Sequence, residues 1–459
     1  MPLNSQVFLL LFLPIAAALH ARVADRPSLR TAFLAASSAV FYAWAGPASL
    51  VLLFAMIVLT FASARALGSA DDVRRRLGLV LLGGNLAVLA VFKYYDPLVA
   101  ALGLHVPRLD AALPLGLSFY TFNLLSHGLD VYWGRREPAP LGALTAYATF
   151  FPTLSSGPLM READFRAQVL APVPLTADVI DTAVFRIAMG LAKKVLIADS
   201  IAIVVEPLFE GHASLGLAAA WVAVLGQHFR VYFDFSGYTD IAIGAALLLG
   251  VRVPPNFDAP YTARSLTEFW QRWHMTLSAW FRDYVFMPAA MSLRSLDPRR
   301  RAGPARSLAL VLTMVLIGLW HAPTAPYLVW GLAQGTILAV HAALRARGRA
   351  PWPEWAGRLA TFAALVCGWA LLRSTDLAMA GSLFAALAGL RGMGGPGVPG
   401  VTPAFLAGLA GLLVVTNLPR EVSELQPRRS WSMALLLAVL LALALLAAGR
   451  ETPFVYLQF

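Results

Sequence analysis

The chain reads as a succession of apolar runs separated by short polar clusters. The first run, Val7 to Leu19, has no basic stretch before it and no small-residue cleavage site after it. That pattern predicts a retained membrane helix, not a cleaved leader. Further runs follow at 31–45, 48–63, 77–95, 111–132, 142–160, 179–204, 213–230, 233–250, 307–322, 326–345, 356–373, 376–391, 401–417 and 431–448. Several are shorter than the ~20 residues that cross a bilayer, so re-entrant or interfacial segments are expected beside about ten to thirteen spans. The basic clusters Arg22, Arg26 and Arg30, then Arg65 and Arg74–Arg76, then Arg135 and Arg136 recur every second span. Basic loops stay cytoplasmic, which predicts an outside N-terminus.

Composition agrees with this pattern. The 459 residues are 59% hydrophobic and 13% charged, against roughly 25% charged in soluble domains. Soluble and disordered classes are excluded, and an all-α polytopic membrane protein is predicted, with the lipid bilayer as its medium. The net charge of +11 sits in loop clusters that set topology, so nucleic acid is not an expected partner. The single cysteine, Cys367, excludes an intramolecular disulfide and a cysteine metal site. No long linker interrupts the chain, and Arg391–Thr402 (RGMGGPGVPGVT) reads as a loop between spans. One integral-membrane domain over 1–459 is expected.

The polar stretch within 251–290 is the first candidate for function. After a loop fixed by Pro254, Pro255 and Pro260, Ser265 or Thr267 is placed to cap a helix beginning near Glu268. Trp270, Trp273, Leu277 and Trp280 then share one face of a helix over 268–284, with Arg272 and His274 in its polar complement. Such a helix is too polar for lipid and too aromatic for a solvated loop. It reads as an interfacial anchor or as the lining of a cavity. Downstream, the apolar helix Leu308–His321 ends in a histidine. Counting from Arg306, His321 lies about 22 Å along the helix at 1.5 Å per residue, deep in a ~30 Å hydrocarbon layer. A titratable group at that depth faces a cavity or a partner, and Trp320 and Pro323 flank it. A third insert, Tyr232–Asp240 (YFDFSGYTD), places Asp234, Ser236 and Asp240 at the expected start of a membrane helix. They read either as caps or as direct participants.

These segments together resemble the membrane-bound O-acyltransferase superfamily, in its bacterial alginate O-acetyltransferase-like branch. The resemblance runs nearly end to end. It includes AVFYAWAGP at Ala39–Pro47, LPLGLSFYTF at Leu113–Phe122, FFPTLSSGPLMR at Phe150–Arg161, LAKKVLIAD at Leu191–Asp199 and DFSGYTDIAIG at Asp234–Gly244. The most specific part is NFDAPYTARSLTEFWQRWHMTLSAWFRDYVFMP at Asn256–Pro288, with GLWHAP at Gly318–Pro323 and FVYLQF at Phe454–Phe459. It implies helices around a central tunnel and a core at approximately 110–345. By the same resemblance His321 is the catalytic histidine and His274 a second polar residue near the tunnel, in a bacterial inner membrane. Two positions depart from the family pattern: WGLAQG at Trp330–Gly335 carries Gln334 where a histidine is frequent, and Ala322 follows His321 where glycine is common. Both bear on tunnel shape and acceptor choice.

The implied reaction moves an acyl group from a thioester to a hydroxyl. An alcohol needs a base beside it, and a neutral imidazole supplies one. His321 takes that role in this reading, with His274 or Arg272 polarising the carbonyl or holding the donor. Asp240, Ser236, Trp320 and Gln334 complete the candidate substrate contacts. No metal-ligand spacing or phosphate loop occurs, so no bound cofactor is expected. The donor expected is an acyl thioester, acetyl-coenzyme A. Near the end, Tyr456 reads either as part of an interfacial belt or as a transient acyl carrier toward an extracytoplasmic partner. That expected partner is a periplasmic polysaccharide O-acetyltransferase or an acyl-relay protein. Two rival readings stay open here: D-alanyl transfer to a cell-envelope polymer from a carrier protein, and a polytopic transporter or flippase.

Overall fold

The computed structural model describes residues 1–296, 302–348, 352–393, 400–418, 429–447 and Phe454. Among them there are twenty α-helices and no strand; the one β-type pairing is the bridge between Phe257 and Trp273. The protein is an all-α polytopic membrane protein. Among the described residues five helices are long and apolar enough to cross a bilayer by length and composition, and shorter apolar helices accompany them at Phe8–Val23, Leu377–Leu387, Pro403–Thr416 and Trp431–Ala447. The chain forms two compact units: Met1–Leu191, Tyr238–Pro255 and Gln426–Ala448 in the first, and Ala192–Gly237, Asn256–Leu425 and Gly449–Phe459 in the second.

The first unit opens with α1 (Leu13–Val23), α2 (Pro27–Ala43), α3 (Pro47–Leu67), α4 (Asp72–Ala101) and α5 (Leu117–Tyr132). The short helices α6 (Leu141–Thr149), α7 (Phe151–Leu154), α8 (Glu162–Leu170) and α9 (Ala177–Leu191) follow. Asp71 caps α4 by accepting from the Arg74 amide at 2.9 Å. Between α3 and α4, Asn85 donates to Thr60 at 2.8 Å and Ser63 to the Gly78 carbonyl at 2.8 Å. Interhelical hydrogen bonds of this kind register helices where lipid offers no competing water. The outward faces carry Val51, Val58, Val80 and Leu86, all more than half exposed, as suits hydrocarbon contact.

The second unit begins at a π-helical segment, Ala192–Ala198, leading into α10 (Asp199–Glu210). Then come α11 (Leu217–Leu248, which continues into the first unit), α12 (Leu266–Arg272), α13 (Met275–Phe281) and α14 (Met287–Leu296). The spans α15 (Ala302–His321), α16 (Ala325–Ala346) and α17 (Glu354–Arg373) follow, then α18 (Leu377–Leu387) and α19 (Pro403–Thr416). The last helix, α20 (Trp431–Ala447), belongs to the first unit.

Two local expectations are corrected. Tyr232–Asp240 does not begin a helix but lies in the middle of the 32-residue α11. Its carboxylates are matched by cations, so no helix end is needed to satisfy them: Lys194 pairs with Asp234 at 2.9 Å and with Asp199 at 2.7 Å, and Arg186 pairs with Asp240 at 2.7 Å. The helix over 268–284 is not continuous either. Ser265 does cap its start, accepting from the Glu268 amide at 3.2 Å, but the helix ends at Arg272. Trp273 is extended (φ −107°, ψ 129°) and His274 is left-handed (φ 43°, ψ 50°) before α13 restarts.

The α15–α16 hairpin is closed by glycines. A Cβ on Gly318 would lie 2.4 Å from the Tyr327 carbonyl oxygen, and one on Gly331 2.6 Å from the Met314 carbonyl oxygen. Only a missing side chain permits this approach, as in small-residue packing between membrane helices. Gly331→Ala and Gly318→Ala are expected to destabilise by about 1–3 kcal/mol through overpacking. The midpoint of thermal unfolding in detergent should fall for both and stay put for Gly303→Ala, whose added Cβ meets nothing within 4 Å.

Candidate active site

The second unit holds a cavity of about 540 Å³, within the range of small-molecule sites. His321 and His274 both line it. His321 is the last residue of α15, and its imidazole sits among aromatic rings: Trp320 at 4.5 Å between centroids, Trp330 at 6.2 Å and Tyr327 at 6.3 Å. The Tyr327 hydroxyl donates to the Leu372 carbonyl at 2.9 Å, fixing α16 against α17 beside the histidine.

His274 is presented by the break between α12 and α13. Residues 256–258 take up the backbone groups that the interrupted helix gives up. The Asp258 amide donates to the Arg272 carbonyl at 3.0 Å, and the Met275 amide to the Asn256 carbonyl at 2.9 Å. The Asn256 side-chain oxygen meets His274 Nδ1 at 3.3 Å and accepts from the Thr276 hydroxyl at 2.6 Å. The Phe235 ring stands edge-on to the imidazole at 4.6 Å. Left-handed backbone at a non-glycine residue costs about 1–2 kcal/mol, and these contacts hold it there.

Gln334 also lines the cavity, buried on α16, with its Oε1 accepting from Trp270 Nε1 at 3.3 Å. Gly368 lets α17 approach α16 here, since a Cβ there would lie 3.1 Å from Trp330 Nε1 and 3.4 Å from Gln334 Nε2. The other candidates lie elsewhere. Trp320 is buried beside His321 and supports it from behind the wall. Arg272 is partly exposed, paired with Glu268 at 3.0 Å and Asp258 at 3.6 Å, outside the cavity lining. Asp240 pairs with Arg186 in the first unit. Ser236 is buried on α11 and is not a lining residue. Tyr456 lies outside the described residues.

The sequence pattern did not single out a charged group on the cavity wall. Glu206 of α10 binds two guanidiniums, Arg230 of α11 and Arg373 at the end of α17. Burial alone would raise the Glu206 carboxyl, but the two guanidiniums hold it below its ordinary range. One signal was available: Arg230 falls inside the apolar run 213–230, where a charge is costly and marks a functional or paired position.

Asn256→Ala removes the acceptor shared by His274 and Thr276. We expect a stability loss of about 1–3 kcal/mol and a His274 ring no longer held in register. Thermal unfolding of the variant, with acyl-transfer rate followed in parallel, checks both.

Comparison with known proteins identifies the family. The model of the MBOAT, membrane-bound O-acyltransferase family, matches residues 117–364, a stretch that contains His274, His321 and Gln334. A protein of Pseudomonas syringae pv. tomato named "Probable alginate O-acetylase AlgI" is 35% identical over 404 residues, covering 84% of this chain and 75% of that protein. The peptidoglycan O-acetyltransferase of Helicobacter pylori is 30% identical over 426 residues, covering 84% and 79%. The teichoic acid D-alanyltransferase of Bacillus subtilis is 30% identical over 243 residues, covering 52% and 61%. The transporter reading gives way to an enzyme: this chain belongs to the membrane-bound O-acyltransferase family and is a membrane-embedded acyltransferase.

Proposed function

We propose that the chain takes an acetyl or other short acyl group from a cytoplasmic thioester, acetyl-coenzyme A, and passes it across a bacterial inner membrane for O-acetylation of an extracytoplasmic polysaccharide. The observation that carries the reading is the pairing of His321 with His274 on one tryptophan-lined cavity. The relatives named for O-acetylation match most of this chain, whereas the D-alanyltransferase matches about half, which favours acetyl over D-alanyl. The N-terminus lies outside in this scheme, and the basic loops face the cytoplasm.

His321 accepts the proton of the acceptor hydroxyl as its oxygen attacks the thioester carbonyl carbon. The tetrahedral intermediate collapses with cleavage of the carbon–sulfur bond, and His321 returns the proton to the departing thiolate. His274 polarises the carbonyl or holds the donor. The scheme needs no bound cofactor. A periplasmic polysaccharide O-acetyltransferase or an acyl-relay protein receives the group, with Tyr456 as a transient phenolic carrier. Support for the carrier comes from Phe454, two residues earlier in the sequence. It is buried with its ring 6.0 Å from Phe235, the ring that also contacts His274.

With purified protein and acetyl-coenzyme A, free-thiol release should fall by about 10²–10⁴-fold in His321→Ala while the protein stays folded. Equal release from both proteins removes the base assignment. Release only with a D-alanyl carrier protein as donor would move the function to D-alanyl transfer. Tyr456→Phe is expected to abolish transfer to polymer while thioester hydrolysis persists, and undiminished transfer would eliminate the relay.

A further inference from the structure

We infer that the indole N–H of Trp330 and the carboxamide N–H of Gln334 together bind a carbonyl oxygen over Gly368, and that this oxygen belongs to the thioester donor, in the amide of its arm nearest the sulfur. All three residues line the cavity of the second unit. Trp270 decides which way the Gln334 carboxamide faces. An indole N–H can only donate, so the Gln334 atom that meets Trp270 Nε1 at 3.3 Å is the oxygen. Nε2 is therefore turned toward α17. The point where a Cβ on Gly368 would sit lies 3.1 Å from Trp330 Nε1 and 3.4 Å from Gln334 Nε2, so both donors converge on the space that the glycine leaves open. Neither N–H has a hydrogen-bond partner among the described residues, although Gln334 is 2% and Trp330 4% exposed. A buried donor left unpaired is costly, and one carbonyl oxygen has two lone pairs to meet both. Both donors are neutral, which suits an amide carbonyl better than a carboxylate or phosphate.

The place of this pair along the cavity selects the donor, and here the inference rests on the thioester and the orientation proposed above. Across the α15–α16 hairpin, Gly318 meets the Trp330 ring and Gly335 meets Val311. At 1.5 Å per residue, Trp330 and Gln334 therefore lie about 5 and 13 Å from His321, toward the N-terminus of α15. That end carries Arg306, and α16 finishes near it with Arg345, so it faces the basic loops from which the donor enters in that scheme. An attacking hydroxyl held between His321 and the thioester carbon sets that carbon about 4 Å from the imidazole. An extended pantetheine arm places its nearer amide carbonyl about 6 Å further on. That depth falls between Trp330 and Gln334, where the two N–H groups meet.

The test measures binding of coenzyme A, N-acetylcysteamine and adenosine 3′,5′-bisphosphate to the full detergent-solubilised chain, by isothermal titration calorimetry under reducing conditions. The first two probes carry the amide nearest the sulfur, and the bisphosphate carries no arm. Gln334→Met keeps the side-chain length and removes the N–H. It should weaken coenzyme A and N-acetylcysteamine about five-fold each, the value of one neutral hydrogen bond, and leave the bisphosphate unchanged. Trp330→Phe should give the same pattern from the other donor. Gln334→His, whose imidazole can accept from Trp270 with one nitrogen and donate with the other, should retain the wild-type affinities, a rescue that a packing role alone would not give. Failure of coenzyme A to bind the wild-type chain overturns the inference. So do unchanged affinities in Gln334→Met and Trp330→Phe, an equal loss for all three probes, or a loss in Gln334→His as large as in Gln334→Met. Weakening of coenzyme A alone overturns the placement at the amide nearest the sulfur. No acyl group is transferred in these titrations, so they are separate from the thiol-release assay. Thiol release without any effect of Gln334 on binding removes this inference alone, and Gln334-dependent binding without release removes the proposed reaction alone.

Discussion

A helix that breaks within an apolar unit must give its backbone polar groups to some other partner, and here Asn256–Asp258 is that partner. The extended Trp273 bridges to Phe257, the Arg272 carbonyl and Met275 amide find partners in Asp258 and Asn256, and the Asn256 side chain meets His274 and Thr276. Unpaired, each buried group would cost roughly 1–3 kcal/mol. Paired, the break is affordable and turns His274 onto the cavity wall. Continued helix through 273–274 would satisfy the backbone equally well but would carry the imidazole elsewhere.

The opposite wall follows from a different constraint, the close approach of α15 and α16. Gly318 and Gly331 bring backbone against backbone, which sets His321, Trp330 and Gln334 at fixed heights. Gly368 then admits α17 against the Trp330 and Gln334 side chains. The cavity is thus shaped by places where side chains are missing as much as by those that line it. Aromatic rings flank the His321 imidazole, and a low-polarity setting of that kind strengthens electrostatic stabilisation of a developing oxyanion.

Ion pairing is handled differently at three places. On α11, Asp234 and Asp240 are answered by Lys194 and Arg186, and these pairs hold the long helix through a polar stretch. At the cavity, two arginines share one glutamate. Lys194 serves two carboxylates, Asp234 and Asp199, whereas at the cavity one carboxylate serves two guanidiniums.

The sequence by itself determined what depends on neighbours along the chain. Apolar runs, basic clusters and the Ser265 cap are local properties, and they gave the helical membrane class, the start of α12 and the end of α15 at His321. The ordered motifs likewise indicated the family before any fold was known. Tertiary structure decided the rest. The helical periodicity of Trp270, Trp273, Leu277 and Trp280 is sound locally, yet it is overridden at Trp273–His274 because Asn256–Asp258 offers equivalent hydrogen bonds. Tyr232–Asp240 reads as a helix start until Lys194 and Arg186 are found beside its carboxylates. Glu206, Arg230 and Arg373 come from three separate helices, and nothing in their spacing predicts that one carboxylate will serve two guanidiniums. Hydrogen bonds and charges pair by distance in space, and sequence spacing reports that distance only within a helix turn or two.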